Sequence, residues 1–221
     1  MTTFKALPAF ALGLVIAAFA GMAASAAASE KVRIVALGDS LTAGYGLAPG
    51  ESFVDRLQAR LGEEGIAAEV IDAGVSGDTA SGGLSRLEWS VPEDADAVIV
   101  ELGANDALRG VDPEVTRRAL TQIVEKLQAR GQAVLLAGML APPNLGPQYE
   151  AEFNAIYPDL AETTGALLYP FFLDGVATEA SLNQPDGIHP TAEGVEVIVD
   201  GILPKVKELI ERARKGETAD G

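Results

Sequence analysis

An α/β fold, with a parallel sheet covered by helices on both faces, is what this chain of 221 residues predicts. Three observations carry the expectation: short apolar runs recur along the chain, stretches of helical period separate them, and glycine- and aspartate-containing turns follow the runs. Runs that are apolar throughout mark strands buried on both faces. Strand–helix alternation calls for parallel pairing with right-handed crossovers. The length suits one core, since domains commonly hold about 100 to 200 residues.

The first residues are an address. Residues 1 to 28 carry one charge, Lys5, followed by an apolar run from Ala6 to Ala23 and the small residues Ala24-Ser25-Ala26-Ala27-Ala28. That is the layout of a secretory signal peptide, and an A-x-A rule places cleavage after Ala26 or Ala28. Pro8 and Gly13 interrupt the run, and its alanines make it weakly apolar for a membrane span, so no stable anchor is expected after cleavage. The expected organisation is a leader at 1–28, a single domain at 29–214 and a frayed polar tail at 215–221, in an exported, periplasmic protein.

The elements of the domain follow in order. Val32 to Leu37 is the first apolar run, and Ala68 to Ala73, Ala97 to Leu102, Ala133 to Met139 and Ala166 to Leu168 repeat the pattern, giving a sheet of about five strands. Phe53, Leu57 and Leu61 are spaced four apart on a helix between the first two strands. Val115, Leu120, Ile123, Val124 and Leu127 share one helical face, with Asp112 as N-cap, Pro113 in the first turn and Gly131 as the stop. The last helix is expected from Thr191 to Arg214 with Val195, Ile198, Val199, Ile202, Val206, Leu209 and Ile210 inward, and Pro204 as a place for a kink.

Composition removes whole classes of chemistry. Sixteen Lys and Arg against 32 Asp and Glu give a formal charge of −16, which repels a polyanion, so nucleic acid is not a partner. No cysteine and one histidine leave no thiolate nucleophile and no multi-histidine metal cluster. The sequence also lacks G-x-S-x-G, S-x-x-K, H-E-x-x-H and the P-loop pattern.

Functional groups of a parallel sheet collect at the carboxyl ends of its strands. Four segments fall there: Gly38-Asp39-Ser40-Leu41, Gly74-Val75-Ser76-Gly77-Asp78, Gly103-Ala104-Asn105-Asp106, and the later loop with Asp186 and His189. A serine hydroxyl is a weak nucleophile without a base, and His189 is the one imidazole available to Ser40. Asp186, three residues earlier, can hold its Nδ1 and fix the tautomer. Gly77 and Asn105, with the Ser40 amide, are suitable donors for an oxyanion. Taken singly, each has a plainer reading: a surface histidine beside a proline, an Asn-Asp turn and a strand-to-helix turn.

Gly38-Asp39-Ser40-Leu41-Thr42-Ala43-Gly44-Tyr45-Gly46, Gly77-Asp78-Thr79, Glu101-Leu102-Gly103-Ala104-Asn105-Asp106 and Asp186-Gly187-Ile188-His189-Pro190 together resemble the four blocks of the SGNH (GDSL) hydrolase superfamily. Within it the chain is similar to the bacterial periplasmic thioesterase, lysophospholipase and arylesterase group. Arg109-Gly110, Phe153 to Pro158 and Pro170-Phe171-Phe172 add to that similarity, and Ala104 departs from the glycine common in close relatives. The resemblance implies a flavodoxin-like three-layer α/β/α sandwich. It also implies ester and thioester hydrolysis through an acyl-enzyme on Ser40, with His189 as base, Asp186 as its orienting partner, and an oxyanion hole of Ser40, Gly77 and Asn105. No metal or cofactor is implied, and the partner is a small-molecule acyl ester or thioester. Acyl-chain contacts are expected from Leu108, Met139, Leu140, Pro142, Pro143, Leu145 and Tyr149, with 142–147 as a gating loop. Two alternatives stand beside this reading: an O-acetylesterase of carbohydrate or cell wall, and a periplasmic binding protein without turnover.

Overall fold

A computed structural model describes residues 1–3 and 31–216 of the chain. The expected leader and most of the expected tail lie outside the described residues. Five strands form one sheet: β1 (Val32–Gly38), β2 (Ala68–Gly74), β3 (Ala97–Glu101), β4 (Ala133–Ala137) and β5 (Leu167–Tyr169). All pair in parallel, in the order β2-β1-β3-β4-β5. This is the flavodoxin-like order, whose switch point lies between β1 and β3. β1, β3 and β4 are buried along nearly their whole length, which is why they read as continuous apolar runs.

Eight helices connect and cover the sheet among the described residues: α1 (Ser40–Ala43), α2 (Phe53–Glu63), α3 (Ala80–Ser90), α4 (Ala104–Leu108), α5 (Pro113–Ala129), α6 (Pro147–Asn154), α7 (Ile156–Thr164) and α8 (Ala192–Lys215). α2 packs on α8, while α3, α5 and α7 pack in a row, so the sheet is the middle of three layers. α2 is stapled by a capping box between Ser52 and Asp55. α5 begins at Asp112 and Pro113 as expected, but Thr116 and not Val115 is buried in its first turns, the Thr116 hydroxyl donating to the buried Asp106 carboxylate at 2.9 Å. Leu120, Ile123, Val124 and Leu127 are fully buried there, each contributing about 1.5–3 kcal/mol.

α8 is continuous through Pro204, and Pro204 and Asp200, whose carbonyl loses its amide partner, both lie on the exposed face. One expected boundary is corrected. Lys215 closes α8, with Gly216 in the left-handed conformation as its cap, so that position belongs to the helix and not to a tail.

Gly38 is the point where the sheet meets the site. It pairs with Gly74 on one side and Glu101 on the other, so the turns after β1, β2 and β3 emerge at one level. A Cβ at Gly38 would lie 1.9 Å from Thr42 Oγ1 and 2.6 Å from Glu101 Oε2, so only glycine lets α1 fold back over the strand end.

Candidate active site

Ser40 opens α1 directly after the strand. Asp39 caps that turn, its Oδ1 accepting from the Leu41 amide at 3.0 Å, and Gly44 at φ 73° ends it. Arg86 locks the same turn from α3: it is buried, donates to Gly38 O at 2.9 Å and pairs with Asp78 at 2.6 Å. The Ser40 side chain is therefore presented by a fixed backbone at the sheet edge.

The structure brings Ser40, Asp186 and His189 together. His189 Nε2 lies 2.9 Å from Ser40 Oγ, and His189 Nδ1 lies 2.7 Å from Asp186 Oδ2. The other Asp186 oxygen accepts from the Ile188 and His189 amides at 3.0 and 3.1 Å, so the turn holds the carboxylate and the imidazole in register. Its hydrogen bond with His189, helped by those two amides, holds the Asp186 carboxyl down at about 2 against an ordinary 3.8. The Tyr45 ring lies 4.6 Å from the imidazole, tilted by 36°, and walls it on one side.

Gly77 and Asn105 come to the same cleft from β2 and β3. Gly77 sits at φ 86°, and its carbonyl accepts from Arg109 Nη2 at 2.9 Å. Asn105 lies in the first turn of α4 and donates from Nδ2 to Asp39 Oδ2 at 2.8 Å. Its neighbour Asp106 ties α4 down by accepting from the Ala80 amide and the Thr116 hydroxyl, both at 2.9 Å. Behind it Gly103 takes φ 115°, with the buried Tyr157 hydroxyl where a Cβ would be, at 2.1 Å. Tyr157 donates to Leu102 O at 2.8 Å, which fixes the entry to α4.

Buried acids lie under these groups. Burial pushes Asp39 up to about 6, against the opposing hydrogen bonds from Leu41 and Asn105. Glu101 is also buried, and desolvation followed by the Asp39 charge holds its carboxyl well above the usual range. Its Oε2 accepts from Thr42 Oγ1 at 2.7 Å and Asp39 N at 3.2 Å, while Oε1 has no partner among the described residues.

A cavity of about 630 Å³ opens over Ser40 and His189. Leu108, Met139, Leu140, Pro142 and Pro143 line it as expected. Leu145 and Tyr149 do not. Tyr149 turns away on α6, its hydroxyl donating to Val111 O at 2.8 Å and its ring stacking on Phe153 at 5.9 Å. Leu145 ends a 3₁₀ turn (Pro143–Leu145) and points towards Gly110. The 142–147 stretch is thus that turn plus the start of α6, not an irregular loop, and Ala141 N bonds to Asn154 Oδ1 at 2.8 Å to pin it. Sequence reasoning missed Tyr45, Phe171, Leu173, Thr178 and Ile188 as lining residues. Thr178, at φ 70°, is the one non-glycine residue with positive φ among the described residues, a strain worth about 1–3 kcal/mol that sits at the cavity wall. Phe171, Leu173 and Thr178 follow β5 and meet the site only through the fold, with no local signal, whereas Tyr45 and Ile188 stand inside the segments that carry Ser40 and His189, and that closeness could have found them.

Among the described residues no cluster of His, Cys, Asp and Glu is arranged to hold a metal ion, and no helix is long and apolar enough to cross a membrane.

The sheet order, with an open apolar cavity at its switch point, defines the α/β/α class of the fold. The chain belongs to the GDSL-like Lipase/Acylhydrolase family, which matches residues 36–197. It is 39% identical over 178 residues to Esterase TesA of Pseudomonas aeruginosa, covering 80% of this chain and 89% of that one. It is 36% identical to Thioesterase 1/protease 1/lysophospholipase L1 of Escherichia coli K12, over 84% of this chain and 87% of that one. Among solved structures, AlinE4, an SGNH-hydrolase family esterase, is 49% identical, with a TM-score of 0.69, 81% of this chain covered and 96% of that one.

Proposed function

We propose that this protein is an exported serine hydrolase that cleaves carboxylic ester and thioester bonds of small acyl substrates through an acyl-enzyme on Ser40. The observation that carries the reading is the unbroken chain Asp186–His189–Ser40, at 2.7 and 2.9 Å, opening onto an apolar cavity. Ser40 Oγ attacks the carbonyl carbon while His189 Nε2 takes its proton. The tetrahedral oxyanion is met by the Ser40 and Gly77 amides and the second Nδ2 hydrogen of Asn105. His189 then protonates the leaving alcohol or thiol, and water, deprotonated by the same imidazole, releases the acid.

Apolar lining by Leu108, Met139, Leu140 and Ile188 favours an acyl chain over a sugar, which ranks the O-acetylesterase alternative second and gives a binding role no use for the charged chain. The names of the relatives, an esterase and a thioesterase/lysophospholipase, support the same substrate classes. Export is supported by Lys5, the apolar run after it and the Ala-rich stretch at 24–28. The test is turnover of p-nitrophenyl esters of short and long chain, an acyl-CoA, a lysophospholipid and an acetylated xylan, beside Ser40→Ala. The proposal expects the acyl esters and thioester to be cleaved and Ser40→Ala to abolish turnover; undiminished turnover in that variant overturns it, and preference for the xylan establishes the alternative.

A further inference from the structure

We propose that Asp39 is a positioning residue, which fixes the end of the Asn105 amide that faces the reacting carbonyl. The inference rests on the reading of Asn105 as an oxyanion donor and adds a residue that acts through it.

A primary amide has a donor end and an acceptor end of nearly equal size, so shape alone does not orient it. Here charge does. Asp39 Oδ2 accepts from Asn105 Nδ2 at 2.8 Å, and Arg109 Nη2 lies 3.5 Å from Asn105 Oδ1 while donating to Gly77 O at 2.9 Å. Turned by half a rotation, the amide would set its oxygen against a carboxylate oxygen and its NH2 against a guanidinium. Asp39 cannot swing away to relieve that. It is 1% exposed, its Oδ1 is held by the Leu41 amide at 3.0 Å, and its own amide is bonded to Glu101 Oε2 at 3.2 Å. An ionised carboxylate only accepts, so the pair demands an N–H from Asn105 and leaves its second N–H for the cleft.

A protonated Asp39 reverses the demand. Its Oδ2–H donates, Asn105 turns its carbonyl to meet it, and the cleft loses a donor at the position of the oxyanion. The charged and titratable groups around Asp39 are Glu101 on β3, Asp78 with its partner Arg86, His189, the buried Tyr157, and Arg109 at the end of α4, which reaches it through Asn105. Burial outweighs the hydrogen bonds among these effects and brings Asp39 to about 6. Protonation of Asp39 is then one cause of the loss of activity in acid, acting through Asn105.

The experiment compares wild type, Asp39→Asn, Asn105→Ala, the double variant and Ser40→Ala in ester hydrolysis from about pH 5 to 8, with a thermal midpoint for each. The asparagine introduced in Asp39→Asn keeps an oxygen for the Leu41 amide but offers an NH2 to Asn105. Asp39→Asn is expected to lower kcat roughly 10²-fold at the alkaline end with KM within about threefold, the effect of losing one oxyanion donor. In the Asn105→Ala background the same change should cost less than about threefold, since nothing remains to be oriented. The acid limb of log kcat should be steeper in wild type than in Asn105→Ala, where protonation of Asp39 no longer turns an amide. That comparison stands even if Asp39→Asn does not fold. A full cost of Asp39→Asn in both backgrounds, or an acid limb unchanged by Asn105→Ala, overturns the inference. If Asn105→Ala itself retains wild-type kcat, the oxyanion reading fails instead.

Discussion

Replacing Asp186 by asparagine should damage turnover more than replacing it by alanine, although asparagine is the closer copy. In the native turn one carboxylate oxygen accepts from the Ile188 and His189 amides at 3.0 and 3.1 Å, and the other meets His189 Nδ1 at 2.7 Å. An asparagine has one oxygen to give. Two backbone bonds of about 1 kcal/mol each outweigh one bond to the imidazole, so the oxygen stays with the amides and the NH2 faces Nδ1. His189 is then forced to carry its proton on Nε2, pointing at Ser40, and cannot accept the hydroxyl proton. The wrong tautomer costs roughly 10³- to 10⁴-fold in kcat. Alanine imposes no tautomer. It removes the hydrogen bond that supports the imidazolium, the largest of the three bonds that together hold the carboxyl at about 2 instead of 3.8, a shift worth about 2.4 kcal/mol in all before screening. With the Asp186 side chain 39% exposed, solvent screening cuts this to about 1 kcal/mol, or roughly tenfold. Looser orientation of the ring brings the expected loss to roughly 10²-fold. The assay is kcat for a p-nitrophenyl ester near pH 8 with thermal midpoints as a folding control. An alanine variant as inactive as the asparagine variant, both folded, would refute the tautomer argument.

Stability and activity should move in opposite directions between about pH 7 and 5. Asp39, Glu101 and Asp106 are raised by burial, so the folded state keeps protons that the unfolded chain releases, and stability increases as pH falls through their folded range. Below about pH 4 the sign reverses, because Asp186 is depressed and its contribution is lost as it protonates between 3.8 and about 2. Calorimetric midpoints across this range check it, and a flat profile from pH 7 to 5 contradicts it. Leu140→Asp puts a charge on the cavity lining and should reduce kcat/KM for long-chain esters about tenfold while leaving acetyl esters within about threefold; equal losses on both would remove Leu140 from the acyl path. Tyr157→Phe leaves Leu102 O unpaired in the core and should cost about 1–3 kcal/mol in urea unfolding, a loss that an unchanged midpoint would rule out.

Much of the fold was legible because burial on two faces leaves a mark in the sequence. Apolar runs located all five strands, yet two of them end early. β4 stops at Ala137 although the apolar residues continue to Met139, because Gly138 turns to exchange bonds with Tyr169 O and the Phe172 amide beside the short β5. Apolarity reports burial, whereas strand ends are set by the length of the partner. The misplacement of Leu145 and Tyr149 has a similar cause: closeness in sequence to Pro142 says nothing about the direction in which a helix projects its side chains. A signal for that helix was present, since Pro143 and Pro147 each occupy a favoured first-turn position. The meeting of Ser40, Asp186 and His189 was legible from a serine directly after the first strand, the one histidine in the chain and an aspartate three residues before it. Asp39 was not, because an aspartate after glycine reads as a plain N-cap until β1 and β3 are known to be neighbours.

The adjacency of β1 and β3 also accounts for where the fold spends stability. Three carboxyls, Asp39, Glu101 and Asp106, are each no more than 1% exposed at the ends of these two strands, and Glu101 Oε1 is unpartnered. A protein selected for its core alone would place apolar residues there, since an acid buried without a full set of partners is raised and destabilising. Each of the three instead anchors backbone or side chain at the cleft: Glu101 holds the Asp39 amide and Thr42, Asp39 holds Leu41 and Asn105, and Asp106 holds Ala80 and Thr116. Local rules of composition break at the point where, in the proposed mechanism, donors must be fixed before a charge develops.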